Sequence, residues 1–368
     1  VTILKSYYLF EKESIHAELG RAIMARAGIG DLEKLFQVFV NLGIWDPNEN
    51  IDLHRYEVPT EFSEEAMTLT RRLLTSAAAR PDPKRRDLTD LRMITIDGQS
   101  TLDFDDALSI EDHGDYLLLG VHIADVGHFV EEGCTIDREA VQRGSSIYMP
   151  DRRIPMLPPE LAEGQCSLKV GEVRPGISTM IRLSRNADIE GYEVFPSIVR
   201  VTDQLTYYDA NLAAEGNKEI AALAGIARKF RQRRLEEGAI HISLPEVNVW
   251  IDETGELIVN KTNRESPARL LVSEIMIMAN WLMAEFLIRH GLPAIYRSQA
   301  DPRERLFKEN GGTLYQNWMQ RKFLSRFMLS PHPERHSGLG LNAYVTATSP
   351  IRKYFDLVTQ RQDRKSVV

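Results

Sequence analysis

Four carboxylates within ten positions, Asp97, Asp103, Asp105 and Asp106, constrain this chain more than any other feature. They lie in IDGQSTLDFDDALS, where Asp97 closes one strand-like run and Asp106 opens the next. Four negative side chains on one connection repel each other unless positive charge sits among them. The interleaved Leu102, Phe104, Ala107 and Leu108 argue for a partly buried loop, where unpaired charge is costly. Oxygen-only ligands suit hard cations, so magnesium is the natural partner and manganese the alternative. Two such ions about 3.5–4 Å apart can hold the attacking and leaving oxygens of a phosphodiester in line.

Other readings of the same acids weigh differently. An EF-hand loop needs glycine at its sixth position and glutamate at its twelfth. Counted from Asp97 those places hold Leu102 and Leu108, and counted from Asp103 they hold Leu108 and Gly114, so neither frame works. A DxDD stretch also serves as a proton donor in some all-helical terpene cyclases, but the surroundings here are strand-rich. A solvated acidic turn stays open on the residues alone.

The flanks set the fold class. Residues 93–96, 107–110 and 116–123 are short apolar runs, and 177–183 and 192–201 alternate like strands. Helical spacing follows over 219–237, 265–290 and 313–329. Strands first and helices after predict an α+β fold, a mixed sheet core surrounded by long helices. The most apolar stretch, 268–287, contains Arg269, Glu274, Asn280 and Glu285, which argues for a buried helix and against a membrane span.

Residues 1 to about 80 read differently. Helical spacing covers 13–27 and 31–42, with Gly28 and Gly30 between them, and Ser63 can cap a third helix. The pattern predicts a small helical, helix-turn-helix-like or winged-helix-like module. The polar stretch RPDPKRRD reads as a linker, placed at 81–90, and leaves 91–368 as the main domain.

Length and composition agree. A chain of 368 residues with 43% hydrophobic and 27% charged residues is globular and long enough for two or three domains. Two cysteines, Cys134 and Cys166, and no CxxC pair argue against a disulfide framework or structural zinc site and fit a reducing cytoplasm. The start VTILKSYYLFEKE lacks signal-peptide character, so a cytoplasmic location is expected. The net charge of −8 speaks against nucleic acid, although two bound divalent cations would halve it. Basic residues also cluster at Arg80, Lys84, Arg85, Arg86 and Arg92, and at Arg228, Lys229, Arg231, Arg233 and Arg234, where a solvated helix face is the plainer reading.

A second constellation lies in YVTATSPIRKY. Ser349 can cap a helix that starts at Pro350, and such a start bearing Ser349, Arg352 and Lys353 suits a phosphate. Arg352 could stabilise the extra charge on a five-coordinate phosphorus. An ordinary capped helix explains the same residues.

Taken in order, TIDGQSTLDFDDALSIE, VHIADVGHFV, GSSIYMPDRRIPMLPPELAEGQCSL, LVSEIMIMAN, AIYRSQADP, HSGLGLNAY and ATSPIRKY resemble the ribonuclease II (RNB) family of exoribonucleases, from about residue 88 to about 360. The resemblance implies a processive, magnesium-dependent 3′→5′ exoribonuclease that hydrolyses single-stranded RNA to nucleoside 5′-monophosphates. It makes Asp97, Asp103, Asp105 and Asp106 the metal ligands, with Asp105 the most critical and Asp103 beside it. It makes Tyr148 the ring that stacks on the 3′-terminal bases, Arg352 the contact to the scissile phosphate and Tyr296 a residue near the sugars. His122 and His336 fall in matched motifs, where hydrogen-bonded structural roles suit them better, and Cys166 reads as a small core residue. Two departures stand out. The helical start replaces the family's cold-shock domains, and a C-terminal OB-fold domain is absent or not included. A monomer binding single-stranded RNA is expected. An RNB-like binding protein without turnover and a DNA-binding regulator acting through residues 1–80 are the competing readings, and duplex DNA binding is disfavoured by the acidic balance.

Overall fold

The computed structural model describes residues 1–75, 84–213, 216–251, 254–263, 265–307 and 312–364. They divide into two units, Val1–Glu61 and Phe62–Val368.

The first unit is helical: α1 (Thr2–Phe10), α2 (Ala17–Arg26), α3 (Leu32–Asn41) and α4 (Ile51–Arg55). Asp31 caps α3 by accepting the Lys34 N–H at 2.8 Å, which sets the helix start where a short acidic side chain precedes an apolar stripe. That stripe buries Leu35 and Phe39 against Met24 and Trp45. The Trp45 ring meets Phe39 at 4.5 Å and Tyr8 at 4.9 Å, both edge-on. The expected helix over 13–27 is shorter, because a single 3₁₀ turn at Glu11–Glu13 separates α1 from α2. Neither α1 nor α4 was expected. In α1 the polar Thr2, Lys5 and Ser6 are too few to mark out a helical period, and α4 is too short to show one.

The second unit opens with α5 (Glu64–Thr75), capped as expected by Ser63, whose Oγ accepts the Ala66 N–H at 3.2 Å. Ala66 is fully buried in this unit's own core, so the third expected helix belongs to the second unit and not to the N-terminal module. Residues 76–83, including Arg80 and the first part of the expected linker, lie outside the described residues. The rest of that linker is not free: β1 (Arg86–Asp87) pairs in parallel with Ser197 and Ile198.

The core sheet comprises β1, β2 (Ile94–Asp97), β3 (Asp106–Asp112), β4 (Tyr116–Ala124), β7 (Val173–Ser184), β8 (Ile189–Arg200) and β9 (Asp203–Thr206), in the order β1-β8-β7-β4-β3-β2-β9. It is mixed: β1–β8 and β2–β9 are parallel and the other pairs antiparallel. The smaller elements are α6 (Thr135–Arg143), the hairpin β5 (Ile147–Tyr148) and β6 (Arg153–Ile154), α7 (Tyr207–Ala213), and α8 (Lys218–Glu236). A second hairpin, β10 (Glu246–Ile251) and β11 (Leu257–Thr262), precedes α9 (Pro267–Arg289). Then come β12 (Tyr296–Gln299), α10 (Leu314–Phe323), β13 (Phe327–Ser330) and α11 (Tyr354–Arg364).

Both faces of the sheet are covered, which is why its strands read as apolar runs. Alternate residues enter separate cores. Leu108 and Ile123 pack with Leu223 and Phe230 of α8 and Leu271, Ile275 and Met278 of α9. Their neighbours Ala107 and Ala124 pack with Ile136 of α6, Met156, Leu161, Ile351 and Leu357 of α11. Each fully buried Leu or Ile contributes about 1.5–3 kcal/mol. Helix α9 has the length and apolarity of a membrane span, yet Leu271, Ile275, Met278 and Leu282 are core residues of this unit.

The basic runs serve the fold. Arg234 of α8 is buried against Glu274 of α9, with Nε and Nη2 donating at 3.0 and 2.5 Å. Arg231 pairs with Glu265 at 3.0 Å and Arg85 with the buried Asp125 at 2.5 Å. The expected helix over 313–329 is two elements. Leu324 turns to extended backbone after α10, and β13 pairs with β12.

Candidate active site

Strand pairing assembles the acids. β2 and β3 run antiparallel side by side with Ile94 opposite Leu108, so the end of β2 and the start of β3 lie at the same edge. Asp97 and Asp106 occupy those two positions, and the connection between them carries Asp103 and Asp105. All four line one cavity of about 600 Å³ with Tyr148, Arg153, Tyr207, Arg269 and Arg352.

Asp105 is held from the far end of the chain. It is 3% exposed; the Ile351 N–H donates to Oδ1 at 2.8 Å and Arg352 Nε to Oδ2 at 2.9 Å. Arg352 Nη2 also donates to Ser349 Oγ at 2.9 Å, and the Ser349 N–H donates to Asp356 Oδ2 at 2.9 Å. These bonds form a tight turn, with α11 starting only at Tyr354, so Pro350 does not open a helix as expected. The turn in turn depends on Asn280 of α9. Its side chain donates to Tyr344 Oη and Thr348 Oγ1 and accepts the Ala347 N–H at 2.8 Å.

Asp103 is held differently. Tyr148 Oη donates to its Oδ2 at 3.0 Å and Arg153 Nη1 to its Oδ1 at 2.8 Å. Tyr148 and Arg153 face each other across the β5–β6 hairpin, and Arg153 also pairs with Glu163. Tyr148 is 56% exposed even though its hydroxyl is tethered.

These partners leave the remaining two acids unbalanced. Burial pushes Asp97 up to about 6, with Arg352 opposing and Asp103 adding to the rise. Burial pushes Asp105 up to about 7, against the pull of Arg352 and the Ile351 N–H. Burial and the charges of Asp97 and Asp105 lift Asp106 well above the carboxylate range. Burial disfavours the Arg352 charge, but Asp105, Tyr148 and the hydrogen bond to Asp105 outweigh it and hold the guanidinium protonated.

Among the described residues, no three His, Cys, Asp or Glu side chains converge as a bound ion needs, because Asp103 and Asp105 are turned to Arg153 and Arg352. The donor chemistry nevertheless fits a hard divalent cation. The set is all oxygen, and the buried Asp97 Oδ2 has no hydrogen-bond partner.

The other expected residues divide. Tyr148, Arg352 and the four aspartates come together, and Ser349 supports Arg352 from a buried position. Lys353 is exposed and does not line the cavity. Tyr296 is 3% exposed, packs with Met283, Phe286 and Leu287, and does not line it either. His122 shares hydrogen bonds with Ser109 and Ser178 in the sheet, as expected of a structural histidine. His336 is buried, but its Nδ1 has no partner. Cys166 is a buried core residue. Sequence reasoning missed Arg153, Tyr207 and Arg269. Arg153 stands in the quoted PDRRIP, five residues after Tyr148, and a two-strand hairpin reading would have put them opposite each other. Tyr207 and Arg269, stacked at 4.4 Å, come from distant segments with no local signal.

Comparison with known proteins adds the context. A family model described as RNB domain matches residues 85–365, and one described as double HTH domain matches residues 1–51. An uncharacterised ribonuclease of Synechocystis sp. is 34% identical over 370 residues, spanning 98% of this chain and 55% of that protein. Ribonuclease R of Thermotoga maritima is 33% identical over 353 residues, 84% of this chain and 50% of that protein. The solved structure of Mycoplasma genitalium RNase R in complex with ribose methylated single-stranded RNA has the same fold, with a TM-score of 0.77 at 24% identity over 87% of this chain and 57% of that one. The chain thus spans about half the length of the curated relatives it matches.

Proposed function

Since this chain belongs to the RNB family, with a double helix-turn-helix module ahead of the catalytic fold, we propose that it is the catalytic part of a 3′→5′ exoribonuclease acting on single-stranded RNA. The observation that carries this reading is the cavity lined both by the exposed Tyr148 and by Asp105, which Arg352 and the Ile351 N–H grip.

The last bases of the strand stack on Tyr148, a contact indifferent to base identity. Arg352 reaches the scissile phosphate and stabilises the charge that develops on its oxygens. Asp97 and Asp106, with Asp103 and Asp105 adjoining, would hold two magnesium or manganese ions, which lower the pKa of water and offset phosphate charge. Water oxygen bonds to phosphorus as the bond to the leaving 3′ oxygen breaks, and each turn releases a nucleoside 5′-monophosphate. A strand that remains stacked and gripped through successive cuts is degraded processively. On this reading the protein works in the cytoplasm as a monomer, takes single-stranded RNA in preference to a duplex, and does not bind duplex DNA through its N-terminal module.

A time course on 5′-labelled single-stranded RNA with magnesium, beside the matching DNA, tests this. Progressive shortening from the 3′ end, with the DNA inert, supports it. RNA that is bound but left intact favours a binding protein without turnover.

A further inference from the structure

Asp103 and Asp105 carry opposite kinds of support. Asp105 is fixed from its own side of the cavity by a turn that Asp356 and Asn280 hold in place. Among the described residues, Asp103 is fixed by the two cross-strand partners of the β5–β6 hairpin, Tyr148 on one oxygen and Arg153 on the other. Arg153 has a second anion within reach, Glu163, and is itself part-buried. One guanidinium therefore spans two carboxylates, one inside the acid cluster and one outside it.

We infer that Arg153 is a built-in counter-cation that competes with the divalent metal for Asp103, and that Glu163 is the acceptor that draws Arg153 away. The inference rests on the metal-dependent reading of this cavity. Its physical basis is like-charge exclusion. A guanidinium 2.8 Å from Asp103 Oδ1 opposes a divalent cation at the same carboxylate, and low-dielectric surroundings strengthen that opposition. Arg153 also neutralises part of a cluster that would otherwise repel itself when no metal is bound. The pair thus lowers metal affinity while it stabilises the empty cavity. Because Arg153 shares Asp103 with Tyr148, metal occupancy also bears on the tether of the base-stacking ring.

Calorimetric titration of manganese alone into the full chain, without RNA, tests this. Arg153→Gln is expected to bind manganese roughly tenfold more tightly, and Glu163→Gln to bind it several-fold more weakly, on the order of the close-pair energies involved. Arg153→Lys keeps the charge and is expected to stay near wild type. Arg152→Gln, a cavity-lining arginine paired with Asp151 at 3.0 Å, controls for general charge and is expected to stay within about twofold. A purely structural role predicts that Arg153→Gln and Glu163→Gln both weaken binding, and that result overturns the inference, as does an equal gain in Arg152→Gln. Asp97→Asn keeps the two questions apart. Wild-type binding that this variant loses upholds the metal site independently, whereas a wild type that takes no manganese removes the metal reading and the inference with it.

Discussion

Arg352 and Asp105 are paired at 2.9 Å through the guanidinium Nε and Oδ2, and the preceding residue of the same turn adds the Ile351 N–H to Oδ1 at 2.8 Å. Nearly 250 residues separate the partners in sequence, so the acid and its cation meet only when the sheet and α11 pack together. Arg352→Lys keeps a charge but loses the planar fork. Its turnover on single-stranded RNA is expected to fall about a hundredfold or more, with RNA affinity changed far less. A parallel loss of affinity and turnover would make Arg352 a general RNA contact.

Asp105→Asn separates activity from stability. The carboxylate is buried and pushed up to about 7, so its charge is strained at neutral pH in the absence of metal. The variant is expected to lose turnover while its free energy of unfolding, from urea titration in EDTA, falls by no more than about 1–2 kcal/mol, because the amide keeps an oxygen for one of the two donors and removes a charge that burial disfavours. Unfolding of the variant in EDTA would show that Asp105 holds the fold.

Tyr148 offers a stacking surface with a tethered hydroxyl. Tyr148→Ala is expected to weaken binding of a short single-stranded RNA by about 1–3 kcal/mol, and Tyr148→Phe to retain most of it. Fluorescence anisotropy in the Asp105→Asn background measures both. Equal losses would assign the contact to the hydroxyl.

Tyr296 belongs to the core. Tyr296→Phe is expected to leave RNA cleavage near wild type, while Tyr296→Ala costs about 3–5 kcal/mol of stability through the cavity it leaves. Selective loss of RNA-over-DNA preference in Tyr296→Phe would restore a role at the sugar.

His122 links stability to pH. Burial lowers its pKa from 6.5 to about 3, so the unfolded chain takes up a proton that the folded chain refuses. Its contribution is present above pH 6.5 and drains away as pH falls toward 3, reaching about 2 kcal/mol by pH 5. Asp97 and Asp105, raised to about 6 and 7, act in the opposite sense, since the stability they contribute is lost as pH rises through those values. The stability gap between wild type and His122→Gln in urea is therefore expected to be about 2 kcal/mol smaller at pH 5 than at pH 8. A gap that does not move would mean that His122 titrates alike in both states.

What was legible in the sequence was whatever a local pattern dictates. The apolar runs of β2, β3 and β4, the period of α8 and α9, and the cap at Ser63 all emerge from a few neighbouring residues. The acid cluster was legible because four like charges on one short connection demand an explanation. Elements whose state depends on distant partners were not. Residues 327–330 carry the same apolar signal as the preceding helix and become a strand only because β12 lies beside them. The turn at Ser349–Arg352 looks like a helix start until Asp105 and Asp356 claim its donors. Arg153 is one arginine among many until the hairpin sets it opposite Tyr148.

Product analysis on uniformly labelled single-stranded RNA, with wild type and Asp105→Asn side by side in magnesium, bears most directly on the cavity as a hydrolytic 3′-end site. Nucleoside 5′-monophosphates as the released product, formed by wild type and absent from the variant, are the expected result. Internal fragments, 3′-phosphate ends, or equal cleavage by both proteins would contradict it.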